Sequence, residues 1–249
     1  TVDSVKYISY LDSYRSAAIL RGVYVRPATT YSLARTTAMQ NYLTSYGVFR
    51  NVLVTYSDDT LRSGVLNSHI TLQPLKRFSL FSEASMVSKS NNFAGPGVRA
   101  GFKDRNFLGG AEQFTLDING RFETQISGAD QGTNAYEVGI KAGLAIPRML
   151  LLPEPKGIRT SAPITNLTAG FGLFRRINLY GMRSASAGWG HMWKSDLHTW
   201  HDLQLLEFSF NQLYYTSADF SQFLQENPTI QRSFEDQFIV GVGYTYTHS

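Results

Sequence analysis

The chain has 249 residues, of which 43% are hydrophobic, so it can bury a core and is not a disordered protein. It contains no cysteine, which excludes disulfides and thiolate metal sites. The formal net charge is +4, and the basic residues are scattered, so nucleic acid is not expected as a partner. Prolines at Pro147, Pro153 and Pro155 interrupt the longest apolar stretch. A membrane-spanning helix needs about 20 apolar residues, so this chain could cross a bilayer only with strands.

The first 76 residues mix helical and strand patterns. Asp12 is a candidate N-cap for the first helix, and Gly47 is placed to end the second. One stripe of the second helix predicts the core of a small module: Met39, Tyr42, Leu43 and Tyr46. We therefore expect a compact α+β module of order β-α-α-β-β over residues 1–76. Its predicted elements are a strand at 2–10, helices at Tyr14–Arg21 and Tyr31–Tyr46, and strands at Asn51–Ser57 and Val65–Gln73.

From Phe78 onward the helical period disappears, and residues 77–249 read as antiparallel strands. The clearest is the strand after Gly110, in which Phe114, Leu116, Ile118 and Phe122 alternate with polar residues. Such a strand has one apolar and one polar face, as transmembrane strands have. A short helix is expected at Ala218–Gln225. Eight strands are predicted, at about 78–89, 94–104, 113–125, 136–146, 166–173, 180–193, 202–214 and 237–247.

Strands of this length match the span of an outer membrane, and aromatic residues collect near their ends. The fold class that we predict is the α+β module followed by antiparallel transmembrane β-barrel strands. No closing turn follows the last strand, so we expect an incomplete barrel of about eight strands.

Two segments carry a resemblance to a known family. Residues 94–125, AGPGVRAGFKDRNFLGGAEQFTLDINGRFETQ, are similar to the start of the barrel in the BamA/TamA superfamily of outer-membrane assembly factors, also called the bacterial surface antigen family. Residues 24–33 and 43–52 resemble the last polypeptide-transport-associated (POTRA) repeat of that family. Residues 227–239 look like its TamA-like, TamL-type branch.

The resemblance implies a function as well as a fold. It implies a non-enzymatic factor of the bacterial outer membrane that inserts or translocates β-barrel proteins through POTRA docking and a lateral barrel seam, with its N-terminal module in the periplasm. Expected partners are membrane lipid, unfolded outer-membrane clients and periplasmic or lipoprotein accessory subunits, and no cofactor is expected. The family's late-loop motif is missing, so we expect a fragment with the last POTRA module and the first half of the barrel.

Two sets of residues are predicted to matter. The resemblance implies that the first barrel strand is half of a lateral gate, and its poor alternation suits reversible pairing. The alternative is that a strand linking a soluble module to a barrel is irregular for that reason alone. The predicted gate residues are Phe78, Leu80, Ser82, Ala84, Met86 and Ser88. Six charged residues are predicted to face the lumen, either neutralising one another or lining a polar cavity: Arg99, Lys103, Arg121, Glu123, Glu137 and Lys141.

Enzyme signatures are thin. Gly95–Ala100 resembles a dinucleotide fingerprint, but it opens a strand and has proline in its turn. His191, His198 and His201 lie near two aspartates, but their spacing does not place them on one face of a strand. The alternatives that stay open are a passive outer-membrane porin, a lipid-modifying barrel enzyme of that membrane, and a soluble β-rich binding module.

Overall fold

The computed structural model describes residues 5–9, 14–90, 92–126, 134–154 and 157–249. Within these ranges the chain forms two helices, then a pair of strands, then a long meander of strands that two further helices interrupt before the last strand. The candidate N-cap Asp12 and most of the predicted polar loop at 127–134 lie outside the described residues.

Two helices open the described chain. α1 spans Ser16–Leu20 and α2 spans Leu33–Thr44. The Ser32 hydroxyl accepts a hydrogen bond from the backbone N–H of Arg35 (3.4 Å), which is the usual N-cap arrangement. Gly47 adopts φ +66° just beyond α2, a conformation that costs glycine little and that ends the helix as predicted.

Two strands follow and pair with each other. β1 (Phe49–Asp58) and β2 (Leu66–Pro74) form a two-stranded antiparallel sheet. The predicted α2 stripe, Met39, Tyr42, Leu43 and Tyr46, is buried in the core of this segment.

The predicted β-α-α-β-β POTRA module is wrong. Val5 makes an isolated bridge, and residues 6–9 have no regular structure, so the described part of the predicted first strand is absent. The reason lies in packing: Tyr7 contacts the core from the side and donates its hydroxyl hydrogen bond to the Tyr14 carbonyl (3.2 Å) instead of joining a sheet. The segment is therefore two helices on a β-hairpin.

The rest of the chain is one antiparallel sheet of eight strands in sequential order. All eight segments that the alternation predicts as strands are present, and most extend by one or more residues. The strands are β3 (Phe78–Ser88), β4 (Phe93–Asp104), β5 (Gln113–Gln125), β6 (Asn134–Ile146), β7 (Ile164–Arg176), β8 (Tyr180–Lys194), β9 (Thr199–Thr216) and β10 (Gln237–His248).

The expected barrel is also wrong, because the sheet is not closed: β3 and β10 lie at opposite edges, and no described strand pairs with the outer side of either. Alternation along one strand reports which faces are polar and apolar, but it carries no information on whether the two outermost strands meet. Closure needs a particular tilt and stagger of all strands together.

The helical segment is held against one end of the sheet, which we call the module end. The Arg15 N–H donates to the Gly109 carbonyl in the β4–β5 turn (2.7 Å), and the Gln113 side-chain amide donates to the Tyr46 carbonyl (2.7 Å). The loop between β6 and β7 adds a third contact, in which the Ala162 N–H donates to the Ser45 hydroxyl (2.8 Å). The β4–β5 turn, the start of β5 and the β6–β7 loop therefore all hold the helical segment.

The opposite end of the sheet, the far end, carries two further helices between β9 and β10. α3 spans Ala218–Glu226, as predicted to within one residue, and α4 spans Pro228–Arg232. Pro228 starts α4 because the first position of a helix needs no N–H donor. The rings of Tyr180, Phe220 and Phe234 pack against one another and tie this excursion to β8.

Candidate functional site

One face of the eight-stranded sheet is apolar across its whole width. Residues directly opposite one another on neighbouring strands share a face, so the pairing register groups side chains into rows. The row through the middle of the sheet has only apolar members: Leu80, Phe102, Leu116, Ala142, Ala169, Ala187, Phe208 and Val240. The next row is apolar except at its first position: Ser82, Ala100, Ile118, Ile140, Phe171, Ala185, Phe210 and Phe238.

No described part of the chain forms a layer over this apolar face. Val98 is 63% exposed, Val138 49% and Val242 74%. These residues lie on β4, β6 and β10, so the exposed apolar surface extends across most of the sheet. Soluble monomers rarely expose apolar surface that is continuous across so many strands. Apolar surface of this kind is typical of faces that contact lipid hydrocarbon or another protein.

Aromatic side chains lie at both ends of the apolar face. At the module end the His201 ring stacks on Trp193 (4.8 Å between centroids) and contacts Tyr246 (5.6 Å). At the far end Phe122 lies opposite Tyr136, which in turn lies opposite Arg175. Apolar-face positions on β5 run from Phe114 to Phe122, about 27 Å at 3.4 Å per residue. Aromatic belts flanking an apolar band about 25 Å tall are typical of membrane-embedded strands.

The other face is polar and carries all six charged residues that we predicted to face a lumen. Arg99 pairs with Asp117 (2.7 Å), Lys89 with Glu123 (2.6 Å), and Arg121 with Glu137 (3.4 Å). These contacts support the interpretation in which charges on neighbouring strands neutralise one another. Lys103 and Lys141 share the face but make no ion pair among the described residues.

Glu123 is the most buried of the six. Its side chain is 7% exposed; one carboxylate oxygen accepts from Lys89, while the other lies 3.8 Å from the Arg121 Nε and has no hydrogen bond. The sequence predicted the face on which Glu123 lies but missed Lys89 as its partner. Lys89 follows the end of β3, and no periodic pattern reaches across two strands to identify it.

The predicted gate strand β3 is an unpaired edge. All six predicted gate residues are exposed, and the outer backbone groups of β3 have no partner strand among the described residues. Leu80 is 81% exposed and Met86 77%, so the strand is accessible on its apolar side as well as at its edge.

Phe81 is a residue that the sequence analysis missed. It lies on the polar face of β3, where its ring covers Gly101, and a Cβ at that glycine would overlap the ring. The Arg99 guanidinium lies over the same ring at 5.2 Å. The only available signal was the break in alternation at Leu80-Phe81.

The three histidines are not gathered at one site. His191 is fully buried, and its Nδ1 lies 3.0 Å from the Thr165 hydroxyl oxygen. His201 has two partners at the module end: its Nδ1 lies 2.7 Å from the Tyr244 hydroxyl and its Nε2 lies 3.0 Å from the Ser195 hydroxyl. In the described part of the chain, no group of three or more His, Asp or Glu side chains could hold a metal ion.

Hydrogen bonds within the β8–β9 turn lower the pKa of one carboxyl group there. Asp196 accepts a hydrogen bond from the His198 N–H (2.8 Å), and this bond holds the pKa of the carboxyl group below its ordinary value. The Asp196 carboxyl group therefore stays charged in the turn, and the partner of His201 Nδ1 is the Tyr244 hydroxyl.

None of the helices in the described ranges has the length and apolar character needed to span a membrane. The chain matches no known protein-family model, and no curated protein is significantly similar to it.

Proposed function

We propose that this chain is an outer-membrane assembly factor of the kind that its resemblance to the BamA/TamA superfamily implies. Its sheet lies in the bilayer with the apolar face toward lipid, and its free β3 edge pairs with a strand of an unfolded outer-membrane β-protein. The action is non-enzymatic. The helical segment lies on the periplasmic side, where accessory subunits could meet it.

The observation that carries the proposal is the coexistence of an uncovered apolar face with an unpaired edge strand on the same sheet. In hydrocarbon, each unsatisfied backbone N–H or C=O costs several kcal/mol, because no water is available to bind it. An incoming strand that pairs with β3 satisfies the backbone groups of both partners that face each other. The edge therefore favours strand addition most strongly in lipid, where a β-protein must be inserted.

Strand addition by backbone pairing needs no particular client sequence, which suits a factor with many clients. The POTRA docking that the resemblance also implies is not part of the proposal, since the N-terminal segment lacks that fold. A lateral seam between β3 and β10 is likewise omitted, because the two strands are not neighbours.

The test is to block β3 and measure client insertion. Because the chain has no cysteine, a Ser82→Cys variant offers a unique site to which a strand-forming peptide can be tethered by a disulfide. The matched control carries the same peptide on Ser186→Cys, an exposed position in the middle of the sheet. The chain is reconstituted in lipid vesicles, and a small outer-membrane β-protein is diluted from urea to follow its insertion by protease protection.

We expect the peptide on position 82 to abolish the acceleration of insertion and the peptide on position 186 to leave it unchanged. Equal insertion with both tethered variants would refute strand addition at β3. Release of the peptide by a reductant should restore the rate.

A second candidate, an outer-membrane lipid-modifying enzyme, has one observation in its favour. The Ser195 hydroxyl lies 3.0 Å from His201 Nε2, the contact that an activated serine nucleophile requires. The group on His201 Nδ1 is a tyrosine hydroxyl, however, and a carboxylate is the usual orienting partner. Hydrolysis of a fluorescent phospholipid that is lost in Ser195→Ala would establish this alternative.

A further inference from the structure

The polar side of the edge strand β3 has one charge, and that charge has no partner. Of the eleven residues of β3, only Glu83 is charged. Its side chain is exposed, and it makes no ion pair or hydrogen bond with any described residue. Arg99, directly opposite on β4, points its guanidinium to Asp117 (2.7 Å) and to the Phe81 ring.

The other polar-face side chains of β3 are already engaged. Ser79 accepts a hydrogen bond from Arg105 (2.5 Å), Phe81 covers Gly101, and the Ser85 hydroxyl donates to the Gly97 carbonyl (3.4 Å). Glu83 is thus the one polar-face group of the strand that is free to meet a side chain on an added strand.

The apolar face of the sheet has a depression next to Glu83. The residues that flank Glu83, Ser82 and Ala84, are small, and an open depression of about 470 Å³ begins beside them on the apolar face. Its apolar lining is Ala84, Val98, Ala100, Ile118, Gly120 and Val138. Large side chains on an added strand would have room here, and only here do small residues occupy two successive apolar-side positions of β3.

We propose that Glu83 selects the segment that pairs with β3, and this inference rests on the strand addition proposed above. The selected segment is extended and has a lysine or arginine flanked by two large apolar residues. The basic side chain lies opposite Glu83 on the polar face. The two flanking side chains point to the apolar face, because neighbours in a strand alternate, and they pack into the depression. Glu83 therefore sets the register, which backbone pairing alone leaves free.

An exposed ion pair across two strands is a modest contact, so the expected preference is about twofold to fivefold in the dissociation constant. An acidic residue opposite Glu83 is disfavoured by a similar factor, because like charges directly opposite repel.

The experiment uses the full chain in detergent micelles and three peptides of eleven residues with alternating apolar and polar positions, which differ only in a central Lys, Gln or Glu. Fluorescence anisotropy of the labelled peptides gives the dissociation constants. We expect the order Lys tighter than Gln tighter than Glu, no dependence on the central residue in Glu83→Gln, and a reversed order in Glu83→Lys. Glu207→Gln is the matched control, since Glu207 is also an exposed polar-face carboxylate but lies on β9, on the opposite side of the sheet from the β3 edge.

The register of the added peptide on β3 is measured separately, by disulfide cross-linking. A cysteine in place of Ser85 and a peptide cysteine two residues from the central position should form a disulfide only when the central residue lies opposite Glu83. Peptides that cross-link to β3 with equal yield and affinity whatever their central residue would overturn the role of Glu83 while leaving strand addition intact. Failure of every peptide to cross-link to β3 would overturn both proposals.

Discussion

A charged side chain in place of Ile140 tests whether the apolar face of the sheet contacts lipid or water. Ile140 lies in the middle of β6 on the apolar face, between Ile118 and Phe171, and is 44% exposed. In water, Ile140→Arg removes contacts of roughly half a side chain, which lowers the free energy of unfolding by about 1 kcal/mol. In a bilayer the arginine also enters hydrocarbon near the midplane, which costs a further ~2–4 kcal/mol.

Ser186→Arg is the matched control. Ser186 lies on β8, next to Ala185 in the row of Ile140 but on the opposite face, so the new charge has the same depth and a polar surrounding. We expect its free energy of unfolding to stay within about 0.5 kcal/mol of that of the unmodified chain.

The assay is unfolding in guanidinium chloride with the chain in lipid vesicles, followed by the fluorescence of its three tryptophans. The expected loss for Ile140→Arg is about 3–5 kcal/mol in vesicles. A loss of only about 1 kcal/mol in vesicles would refute the assignment of the apolar face to lipid, because the arginine would then be in contact with water.

Three further outcomes follow from the packing. Gly95→Ala should destabilise the chain strongly by the same assay, since the new Cβ would overlap the Phe122 carbonyl oxygen, whereas Gly120→Ala, whose Cβ would lie 3.6 Å from its nearest neighbour, should be tolerated. Gln113→Ala should loosen the helical segment from the sheet by about 0.5–1.5 kcal/mol and speed hydrogen exchange at the module end, because the Tyr46 carbonyl loses its donor. Burial raises the pKa of Tyr46 above its ordinary value of 10.0, so its contribution to stability is complete below pH 10 and is lost as the pH rises above it; Tyr46→Phe should weaken this alkaline loss in a pH series of unfolding curves.

The local pattern of the sequence was sufficient for most of the strands. In β5 the alternation of Phe114, Leu116 and Ile118 with polar residues predicted the strand, its faces and the side on which Arg121 lies. The same rule failed at residues 2–10, because a few alternating apolar residues also suit a loop that packs against a core, as Tyr7 does. Short apolar runs carry too little information to choose between the two.

The partners of charged residues were less predictable. Arg121 and Glu137 meet because the register of β5 and β6 places them opposite each other, and both strands had been predicted. The Lys89–Glu123 pair joins a residue beyond β3 to a strand two positions away, and only the packed sheet brings them within 2.6 Å.

By itself the sequence determined the eight strands from Phe78 onward, their polar and apolar faces, and the burial of the α2 stripe. These properties depend on residues two, three or four positions apart, which one segment contains in full. The tertiary structure decided that the sheet stays open and that the N-terminal segment is two helices on a hairpin. It also decided that, among the described residues, the outer edge of β3 and the Glu83 side chain have no partner. These properties depend on contacts between segments far apart in the chain, which alternation within a single strand does not encode.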